Sequence, residues 1–576
     1  MISTKNAIPK IADGPETVLD CVALRQRLLA ELYGVEAADR IAEDVERLIA
    51  SQPERPGRRQ RWDEHDAWLI SYPDQFTQPG EAPLATLRTV MRDIFDESFN
   101  GLHVTPFFPS TSDEGFAVRD YMAVDEAYGT WEDIAALARG RRVAVDAVLN
   151  HLSADNAWFK GYLAGDPRYE GFFRTADPDA DLSAVVRPRT RPLLTRFERV
   201  DGPVWAWTTF SEDQVDLDYR TPEVLVRVLE VLLSYIARGA DVLRLDAVAF
   251  IAKQEGTASI HLPQTHSIVQ FIRSCVESVD PSVLVLTETN VRHEENVSYF
   301  GSPGAEQAHL VYQFPLPPLT LDALLTGDAT RLRDWAGALE PPRRGTAFLN
   351  FLASHDGVGI RPAEGLLDAA DIELLVDTTL RAGGDLTSRT LADGATAAYE
   401  LNSTWYALMA AGHPEEAALR RHLAAHAIML ALRGIPATYV HSVVAGENDR
   451  ERFERTGEPR ALHRRRFDDV AAFRRDVTDP ATRAGASWAG LREMLRSRAS
   501  TPAFHPDSEQ TLLETPAQVF GVEREAESGE RARVYVNVSG EPATLDVAGD
   551  GDWQPRLELA PWSSAWLQAG AGGRSS

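Results

Sequence analysis

The segment Arg142-Val-Ala-Val-Asp-Ala-Val-Leu-Asn-His151 is an apolar run of strand length that ends in polar residues. Side chains alternate across a strand, so Asp146 and Asn150 share one face. Similar short apolar runs alternate with amphipathic helical stretches along much of the chain. The predicted strands are Ala67–Ser71, Gly101–Thr105, Arg142–Leu149, Asp241–Leu245, Val283–Leu286, Leu310–Gln313, Ala347–Leu352 and Ala437–His441. This pattern predicts an α/β fold, a closed (β/α)₈ TIM barrel with helices between the strands, for example Pro222–Ala237, Pro263–Ser278 and Glu416–Leu432.

Several regions fall outside the β-then-α units. Residues 1–60 predict an N-terminal helical extension, with apolar side chains at helical spacing in residues 18–50 and a Pro/Arg-rich linker at 51–61. The barrel is assigned to residues 61–505, with insertions of about 152–220 after the third strand and 357–412 after the seventh. Such insertions lie at the C-terminal face of a barrel, where active sites are built. Residues 506–576 predict a small antiparallel β domain.

The overall composition restricts the classes of partner. The net charge is −27, from 59 basic and 86 acidic residues, so nucleic acids and anionic membrane surfaces are repelled. The two cysteines, Cys21 and Cys275, are too few for a disulfide framework or a thiolate metal site. Met1–Thr17 lacks an apolar core of signal-peptide length, and no stretch is long and apolar enough for a membrane span. We therefore expect a cytoplasmic protein that acts on small molecules; the sequence does not indicate its oligomeric state.

Polar and aromatic side chains stand at or near the ends of several predicted strands. They are, in chain order, Asp113, Phe116, Asp146, Asn150, Arg244, Asp246, Glu288, His355 and Asp356. Any one of them alone fits a solvated or structurally paired strand end. Because parallel strands of a barrel end at the same mouth, the whole set indicates an active site.

Three of the five carboxylic acids in this set fit the chemistry of glycosyl transfer. A glycosidic carbon reacts through an oxocarbenium-like transition state, so one carboxylate must attack while a second carboxyl protonates the leaving oxygen. We expect Asp246 to be the nucleophile, with its pKa lowered by Arg244 two residues away. Glu288 fits the acid/base if its surroundings raise its pKa, and Asp356 fits a group that holds sugar hydroxyls. The retaining mechanism requires Asp246 and Glu288 to lie about 5–5.5 Å apart.

Four sequence blocks resemble the signature regions of glycoside hydrolase family 13, the α-amylase superfamily. They are Asp146-Ala-Val-Leu-Asn150-His151, Arg244-Leu-Asp246-Ala, Leu-Thr-Glu288 and His355-Asp356, in the family's order and at suitable spacing. The resemblance implies that Asp246 is the nucleophile, Glu288 the acid/base and Asp356 the transition-state stabiliser. It also implies that His151 and His355 contact glucosyl hydroxyls.

Residues 69 to about 467 resemble the sucrose-phosphorylase-like subfamily. The motifs are Phe-Phe-Pro-Ser-Thr-Ser-Asp113-Glu-Gly-Phe116, Arg187-Pro-Arg189, Trp-Thr-Thr-Phe210-Ser-Glu-Asp-Gln214 and Ala445-Gly-Glu-Asn-Asp449. The resemblance implies that Asp113 and Arg460 close the bottom of a glucose pocket, with Arg464 as the alternative to Arg460. It implies further that Phe116 forms an aromatic wall and that Phe210 and Gln214 line the sugar site. Arg189 matches the loop arginine that such enzymes use for phosphate, and Arg187 stands near it.

The acceptor region departs from the sucrose-specific pattern. Asn290 replaces a His two residues after the acid/base, and Ala397-Ala398-Tyr399-Glu400 replaces Asp-Leu-Tyr-Gln. Together with Glu288-Thr-Asn-Val-Arg-His293, this stretch most resembles the 2-O-α-glucosylglycerate phosphorylases of the family. The resemblance implies an α-glucoside, inorganic phosphate and glycerate as small-molecule substrates, with Asn290, Tyr399 and Glu400 in the substrate site.

Several alternatives stay open. The phosphorylase could act on sucrose, sucrose 6′-phosphate or glucosylglycerol, and the same fold serves α-glucosidases and transglucosidases. A non-catalytic barrel is disfavoured because all three carboxylic acids are present. The glycerate carboxylate needs a cation or several donors, for which the candidates are Arg189, Arg191, Arg292 and His293. The mechanism requires no cofactor and no metal, and Asn448 and Asp449 lack the ligand spacing of a calcium loop, which favours a turn role.

Overall fold

A computed structural model describes residues 18–55, 61–95, 97–390, 395–547, 553 and 555–569. The predicted barrel is confirmed, because eight parallel strands close on themselves and the first pairs with both the second and the last. In chain order the barrel strands are β1 (Trp68–Ser71), β2 (Gly101–Val104), β3 (Arg142–Val148), β4 (Val242–Asp246), β5 (Leu284–Thr287), β6 (Leu310–Tyr312), β7 (Ala347–Asn350) and β8 (Ile435–Tyr439). All eight predicted strands are present, with ends shifted by no more than a few residues.

The barrel strands are buried on both faces, which explains why they appear in the sequence as nearly continuous apolar runs. Each residue of β3 and of β4 is buried. Polar side chains in such a strand need partners inside the barrel, and those partners come from neighbouring strands at the same level. The strands therefore position charged residues from several parts of the chain around one mouth.

Helices surround the strands and cover their outer faces. Pro222–Ala237 has the predicted bounds, Pro263–Val279 ends one residue later than predicted, and Glu415–Ala431 begins and ends one residue earlier than predicted. The other α-helices of the barrel are Pro83–Val90, Trp131–Leu137, His293–Val297, Leu316–Thr326, Thr330–Ala338, Val440–Val443, Arg450–Thr456, Val470–Thr478 and Arg483–Ala499, and Ala157–Leu163, Ala369–Arg381 and Trp405–Ala410 lie in the two insertions. Three of the longer ones begin with a proline near the first turn, where the missing N–H costs nothing.

The N-terminal helices predicted within residues 18–50 are confirmed as Val18–Tyr33 and Val35–Ala50. The second buries Ala38, Ile41 and Val45, which recur at helical spacing on one face. Arg25 links the pair to the barrel: its guanidinium is buried, donates to Glu46 at 2.7 Å and reaches Ser278 at 2.8 Å. The helical pair is therefore anchored to the side of the barrel.

Small sheets fill the two long insertions. After β3, His151–Ser153 pairs with Gln214–Asp216 and Leu194–Arg199 pairs with Gly202–Trp207. After β7, Thr396–Asn402 is the central strand between Val358–Gly359 and Asp385–Thr390. The predicted C-terminal β strands are confirmed as two antiparallel sheets, comprising Glu509–Leu512, Val519–Glu525, Arg531–Asn537 and Ser564–Ala569, and Ala543–Asp546 with Arg556–Leu559.

Two predictions concern segments that lie outside the described residues. These are the absence of a signal peptide at Met1–Thr17 and the middle of the 51–61 linker. Within the described ranges, none of the helices combines the length and hydropathy that crossing a bilayer requires.

Candidate active site

A pocket lies at the C-terminal mouth of the barrel, with about 900 Å³ of empty space when the adjoining open solvent is included. Asp146 and Asn150, which the sequence also indicated, are not among its lining residues. Fifteen other residues that the sequence indicated do line it: Asp113, Phe116, His151, Arg189, Phe210, Gln214, Arg244, Asp246, Glu288, Asn290, His355, Asp356, Tyr399, Glu400 and Arg460. Residues from strand ends and from both insertions therefore meet in one place. The assignment of a chemical role to each of them rests on the contacts described next.

The end of β4 places Asp246 beside a buried guanidinium. Arg244 Nη1 donates to Asp246 Oδ1 at 2.8 Å and also to Asp146, while Arg244 Nε donates to the Tyr312 hydroxyl at 3.2 Å. Asp146 is held from the other side by His103 at 2.8 Å. Because alternate residues of a strand point to one side, Arg244 and Asp246 point together into the barrel. Asp246 is thereby fixed at the pocket wall.

A sharp turn after Asp246 brings the backbone there into contact with Glu288. Ala247 adopts a left-handed conformation with φ 48°, which is strained for a residue with a side chain. Its N–H donates to Glu288 Oε2 at 2.9 Å, so the backbone that follows Asp246 directly holds Glu288. The separation of about 5–5.5 Å between Asp246 and Glu288 stays a prediction.

Glu288 has a raised pKa that allows it to carry a proton near neutral pH. Burial raises the pKa of Glu288 to about 7, Arg244 opposes that rise, and the nearby carboxylates Asp246 and Asp356 add to it. This matches a group that must be protonated when the leaving oxygen departs. The expected lowering of the Asp246 pKa is wrong in its net direction. Burial raises the pKa of Asp246, and Arg244, which is shared with Asp146, only partly offsets that effect.

Asp356 has the opposite electrostatic environment. Burial favours its neutral form, but His355 and Arg460 outweigh burial and hold the pKa of Asp356 far below its ordinary value. His355 Nε2 lies 3.2 Å from one carboxylate oxygen, and Arg460 donates to the other. His355 also stacks on Phe116 with ring centroids 5.0 Å apart, and both rings line the pocket. Asp356 is therefore a permanently ionised group at the pocket floor.

A second set of contacts closes the bottom of the pocket. Arg460 donates to Asp113 Oδ1 at 2.7 Å, and Gln214 donates to Asp113 Oδ2 at 2.9 Å. Gln214 also lies 3.0 Å from His151 Nε2. Asp113 has φ 54°, so these contacts hold a residue in a strained conformation, as is common at binding sites. The alternative to Arg460 is wrong, because Arg464 points away from the pocket and donates to Asp74 at 2.9 Å.

A buried ionic cluster supports the wall behind His151. The Lys253 ammonium contacts Asn150 Oδ1 at 2.7 Å, the Phe250 carbonyl at 2.9 Å and Asp216 at 3.1 Å. These contacts use all three ammonium protons. These contacts tie the segment that follows Asp246 to the first insertion. The insertion begins next to His151, so the walls that carry Asp246 and His151 are held together.

The far end of the pocket contains the residues that depart from the sucrose-specific pattern. Arg189 lies 3.9 Å from Glu400, and its guanidinium stands over the rings of Tyr399 and Phe210. Asn290 packs against the backbone of Gly359. Its Oδ1 is buried and without a hydrogen-bond partner in the described structure.

Sequence reasoning missed several aromatic residues of the pocket. The lining also includes Phe250, Tyr312, Phe314 and Phe351. Tyr312 ends β6, Phe314 lies two residues beyond it and Phe351 follows β7 directly, so their positions at or near strand ends were the available signal. That signal is weak, because aromatic side chains at strand ends also pack inside barrel cores.

Two groups of residues play no part in this pocket. Asn448 accepts from the Thr404 N–H at 2.7 Å and Asp449 caps the helix Arg450–Thr456, which bears out their turn role. In the part of the chain that the structure describes, the carboxylate and imidazole groups placed close enough to share a metal ion are those of Asp63, Glu64 and His65. These three consecutive residues lie outside the pocket, and nothing connects them to its chemistry.

Comparison with known proteins shows the family to which the chain belongs. Residues 89–336 match the model of the α-amylase catalytic domain. The chain is 43% identical over 554 residues to a glucosylglycerate phosphorylase of Allomeiothermus silvanus, covering 94% of this chain and 98% of that protein. The chain belongs to the α-amylase superfamily, glycoside hydrolase family 13. A glucosylglycerate phosphorylase of Escherichia coli is 38% identical, over 91% of this chain and 95% of that protein.

The fold of this family member is also that of a solved relative. The crystal structure of sucrose 6F-phosphate phosphorylase from Thermoanaerobacter thermosaccharolyticum superposes with a TM-score of 0.72. That alignment covers 82% of this chain and 94% of the other, at 24% identity. At this identity the likeness supports the barrel architecture alone.

Proposed function

We propose that this family 13 enzyme is a retaining α-glucosyl phosphorylase that converts 2-O-α-D-glucosylglycerate and phosphate into α-D-glucose 1-phosphate and D-glycerate. The observation that carries the proposal is the arrangement of Asp246, Glu288 and Arg189 in one pocket. Asp246 and Glu288 supply the double displacement, and Arg189 supplies a cation for an anionic acceptor. The substrate is supported by the two glucosylglycerate phosphorylases to which the chain is similar along nearly its whole length.

In the first step Asp246 attacks the anomeric carbon while Glu288 protonates the departing oxygen of glycerate. With a pKa of about 7, Glu288 is about half protonated at neutral pH and can deliver its proton, and Asp356 stays ionised to hold sugar hydroxyls. Arg244, which donates to Asp246 at 2.8 Å, orients the attacking carboxylate. Glycerate leaves with the Glu288 proton, and the glucosyl group remains as an ester on Asp246.

In the second step a phosphate oxygen attacks the same carbon from the side that glycerate left. Glu288, now ionised, takes the phosphate proton, and the bond to Asp246 breaks with restored α configuration. Phosphate must compete with water for this position. Arg189 favours phosphate, because a guanidinium binds its oxygens with charge-assisted hydrogen bonds.

The phosphate dependence of the reaction tests this function. We expect purified enzyme to release glucose 1-phosphate from glucosylglycerate at least tenfold faster than free glucose when phosphate is present. We also expect glycerate to be preferred over glycerol, fructose and fructose 6-phosphate in the reverse reaction from α-glucose 1-phosphate. Free glucose released at equal rates with and without phosphate would instead indicate a hydrolase. Failure of glycerate in the reverse reaction would remove glucosylglycerate as the substrate.

The pH dependence follows from the environment of Glu288. Because burial raises its pKa to about 7, the catalytic proton is present below that pH and is lost above it. We expect kcat/KM for glucosylglycerate to fall by about tenfold per pH unit above that value. A pH series with stopped assays measures this, and activity that still rises at two units above the Glu288 pKa would contradict the assignment.

The proposal extends to the surroundings of the enzyme. Its partners are small molecules, and the acidic chain gives no reason to expect a nucleic acid or a membrane as partner. On the composition arguments we propose the cytoplasm as its location.

A further inference from the structure

The side-chain amide of Asn150, behind the pocket wall, has its orientation fixed from both sides. Its Oδ1 accepts from the Lys253 ammonium at 2.7 Å, and an ammonium can only donate. Its Nδ2 donates to Asp216 Oδ1 at 3.4 Å, and the carboxylate of Asp216 also accepts from the N–H and the hydroxyl of Thr209. Turning the amide over would place its oxygen against a carboxylate and its N–H groups against an ammonium. The two neighbours therefore allow one orientation.

This orientation decides which nitrogen of the adjacent imidazole carries the proton. The amide nitrogen of Asn150 has a second N–H, and His151 Nδ1 lies 3.3 Å from that nitrogen. Burial lowers the pKa of His151, which favours the neutral ring with a single N–H. Since the amide nitrogen donates, Nδ1 must accept, and the ring proton belongs on Nε2.

The contacts at the other edge of the ring are divided. Nε2 lies 3.1 Å from the Phe116 carbonyl, which can only accept and therefore favours a proton on Nε2. The Gln214 amide nitrogen, which donates to Asp113, lies 3.0 Å from the same atom and favours an Nε2 without a proton. One contact at this edge supports each form of His151. The donor that Lys253 orients at Nδ1 therefore decides between them.

A proton on Nε2 makes His151 a hydrogen-bond donor toward the pocket. His151 and Asp113 both line the pocket, and the Gln214 nitrogen contacts both, so the two groups lie side by side. A glucosyl hydroxyl next to them can accept from Nε2–H and donate to the Asp113 carboxylate. The opposite tautomer would leave two acceptors competing for one hydroxyl proton.

We infer that Lys253 is a positioning residue that fixes, through the Asn150 amide, the Nε2–H tautomer of His151 and so makes His151 a donor to the glucosyl unit. The inference rests on the proposed function for the sugar that is bound. It goes beyond that function by giving a buried lysine a part in sugar recognition, although Lys253 is not among the residues that line the pocket.

Nitrogen NMR of the enzyme with isotope-labelled histidine reads the tautomer directly and needs no substrate. The His151 signals are assigned by their loss in His151→Gln. We expect the wild type to show a protonated Nε2 and an unprotonated Nδ1. A wild-type His151 that carries its proton on Nδ1 would overturn the inference.

Lys253→Met removes the donor that orients Asn150 and keeps an unbranched side chain. We expect a mixture of both tautomers in place of the single Nε2–H form, because the remaining contacts of His151 are evenly divided. We also expect kcat/KM to fall about 2–10-fold, the usual effect of losing one neutral hydrogen bond. The fall should be equal for glucosylglycerate and for α-glucosyl fluoride, because both donors carry the same glucosyl unit.

Two further substitutions at lysines complete the test. Lys253→Arg restores a cation that can only donate, and Lys253 borders a second cavity that gives the larger guanidinium room. This variant should keep the Nε2–H form that Lys253→Met loses. Lys160→Met is the matched control, because it removes an exposed lysine of the first insertion and should change neither the tautomer nor the rate.

The outcomes separate the inference from the proposed function. An enzyme that uses α-glucosyl fluoride but not glucosylglycerate would refute the function and leave the tautomer result standing. A folded Lys253→Met variant that keeps the Nε2–H form would overturn the inference, as would a loss of activity confined to glucosylglycerate. Should Lys253→Met fail to fold, Asn150→Leu, which keeps the ion pair of Lys253 with Asp216, must show the same mixture, and an unchanged Nε2–H form there would overturn the inference.

Discussion

Replacement of Asp246 by Asn is expected to lower phosphorolysis on the order of 10⁴-fold or more, because an amide cannot form the glucosyl ester. The fold should persist. Arg244 keeps its bond to Asp146 in the variant, so no buried charge is left without a partner. Burial already disfavours the charged form of Asp246, so neutralising it removes no net stabilisation from the native state. Steady-state rates and thermal unfolding of the same preparation measure both effects.

The control for this variant is Asp179→Asn, which removes a carboxylate from an exposed position in the first insertion. It should retain full activity and the wild-type unfolding temperature. Asp246→Asn with more than a tenth of normal turnover would refute its role as the nucleophile. A large fall in its unfolding temperature would show that Asp246 has a structural role that the contacts of Arg244 do not indicate.

Glu288→Gln is expected to slow phosphorolysis of glucosylglycerate by about 10²–10⁴-fold, the usual contribution of a general acid. The first step with α-glucosyl fluoride should fall by less than about tenfold, because fluoride departs without a proton. The alkaline loss of activity that the wild type shows above the Glu288 pKa should disappear. Burst measurements with both donors give these rates. Equal losses for the two donors would mean that Glu288 acts in some way other than by protonating the leaving group.

The pocket residues for which we propose catalytic roles could be located from the sequence because a parallel barrel gives a simple relation between sequence and space. Residues at the ends of successive strands meet at one mouth, so short apolar runs that end in or are soon followed by Asp246, Glu288 and Asp356 already locate a site. The resemblance to the α-amylase superfamily then supplied the role of each residue. Locating these side chains requires no knowledge of how the core packs, because the direction of the strands decides at which end of the barrel they lie.

Other features depend on tertiary contacts that no local pattern encodes. Arg460 and Arg464 are four residues apart, and only the packed structure shows that Arg460 faces Asp113 while Arg464 faces Asp74. The direction of the Asp246 pKa was wrong because burial was not known from sequence. The choice of Arg189 among four candidate cations likewise required the pocket lining.

The central claim is that Asp246 bonds covalently to the glucosyl group. It is tested most directly by offering α-glucosyl fluoride to the Glu288→Gln variant without phosphate, quenching in acid and locating the modification by peptide mass spectrometry. The account predicts one added glucosyl unit on the peptide that contains Asp246, removed on addition of an anionic nucleophile. A glucosyl group attached to any other residue, or glucose released in the β configuration without an adduct, would contradict it.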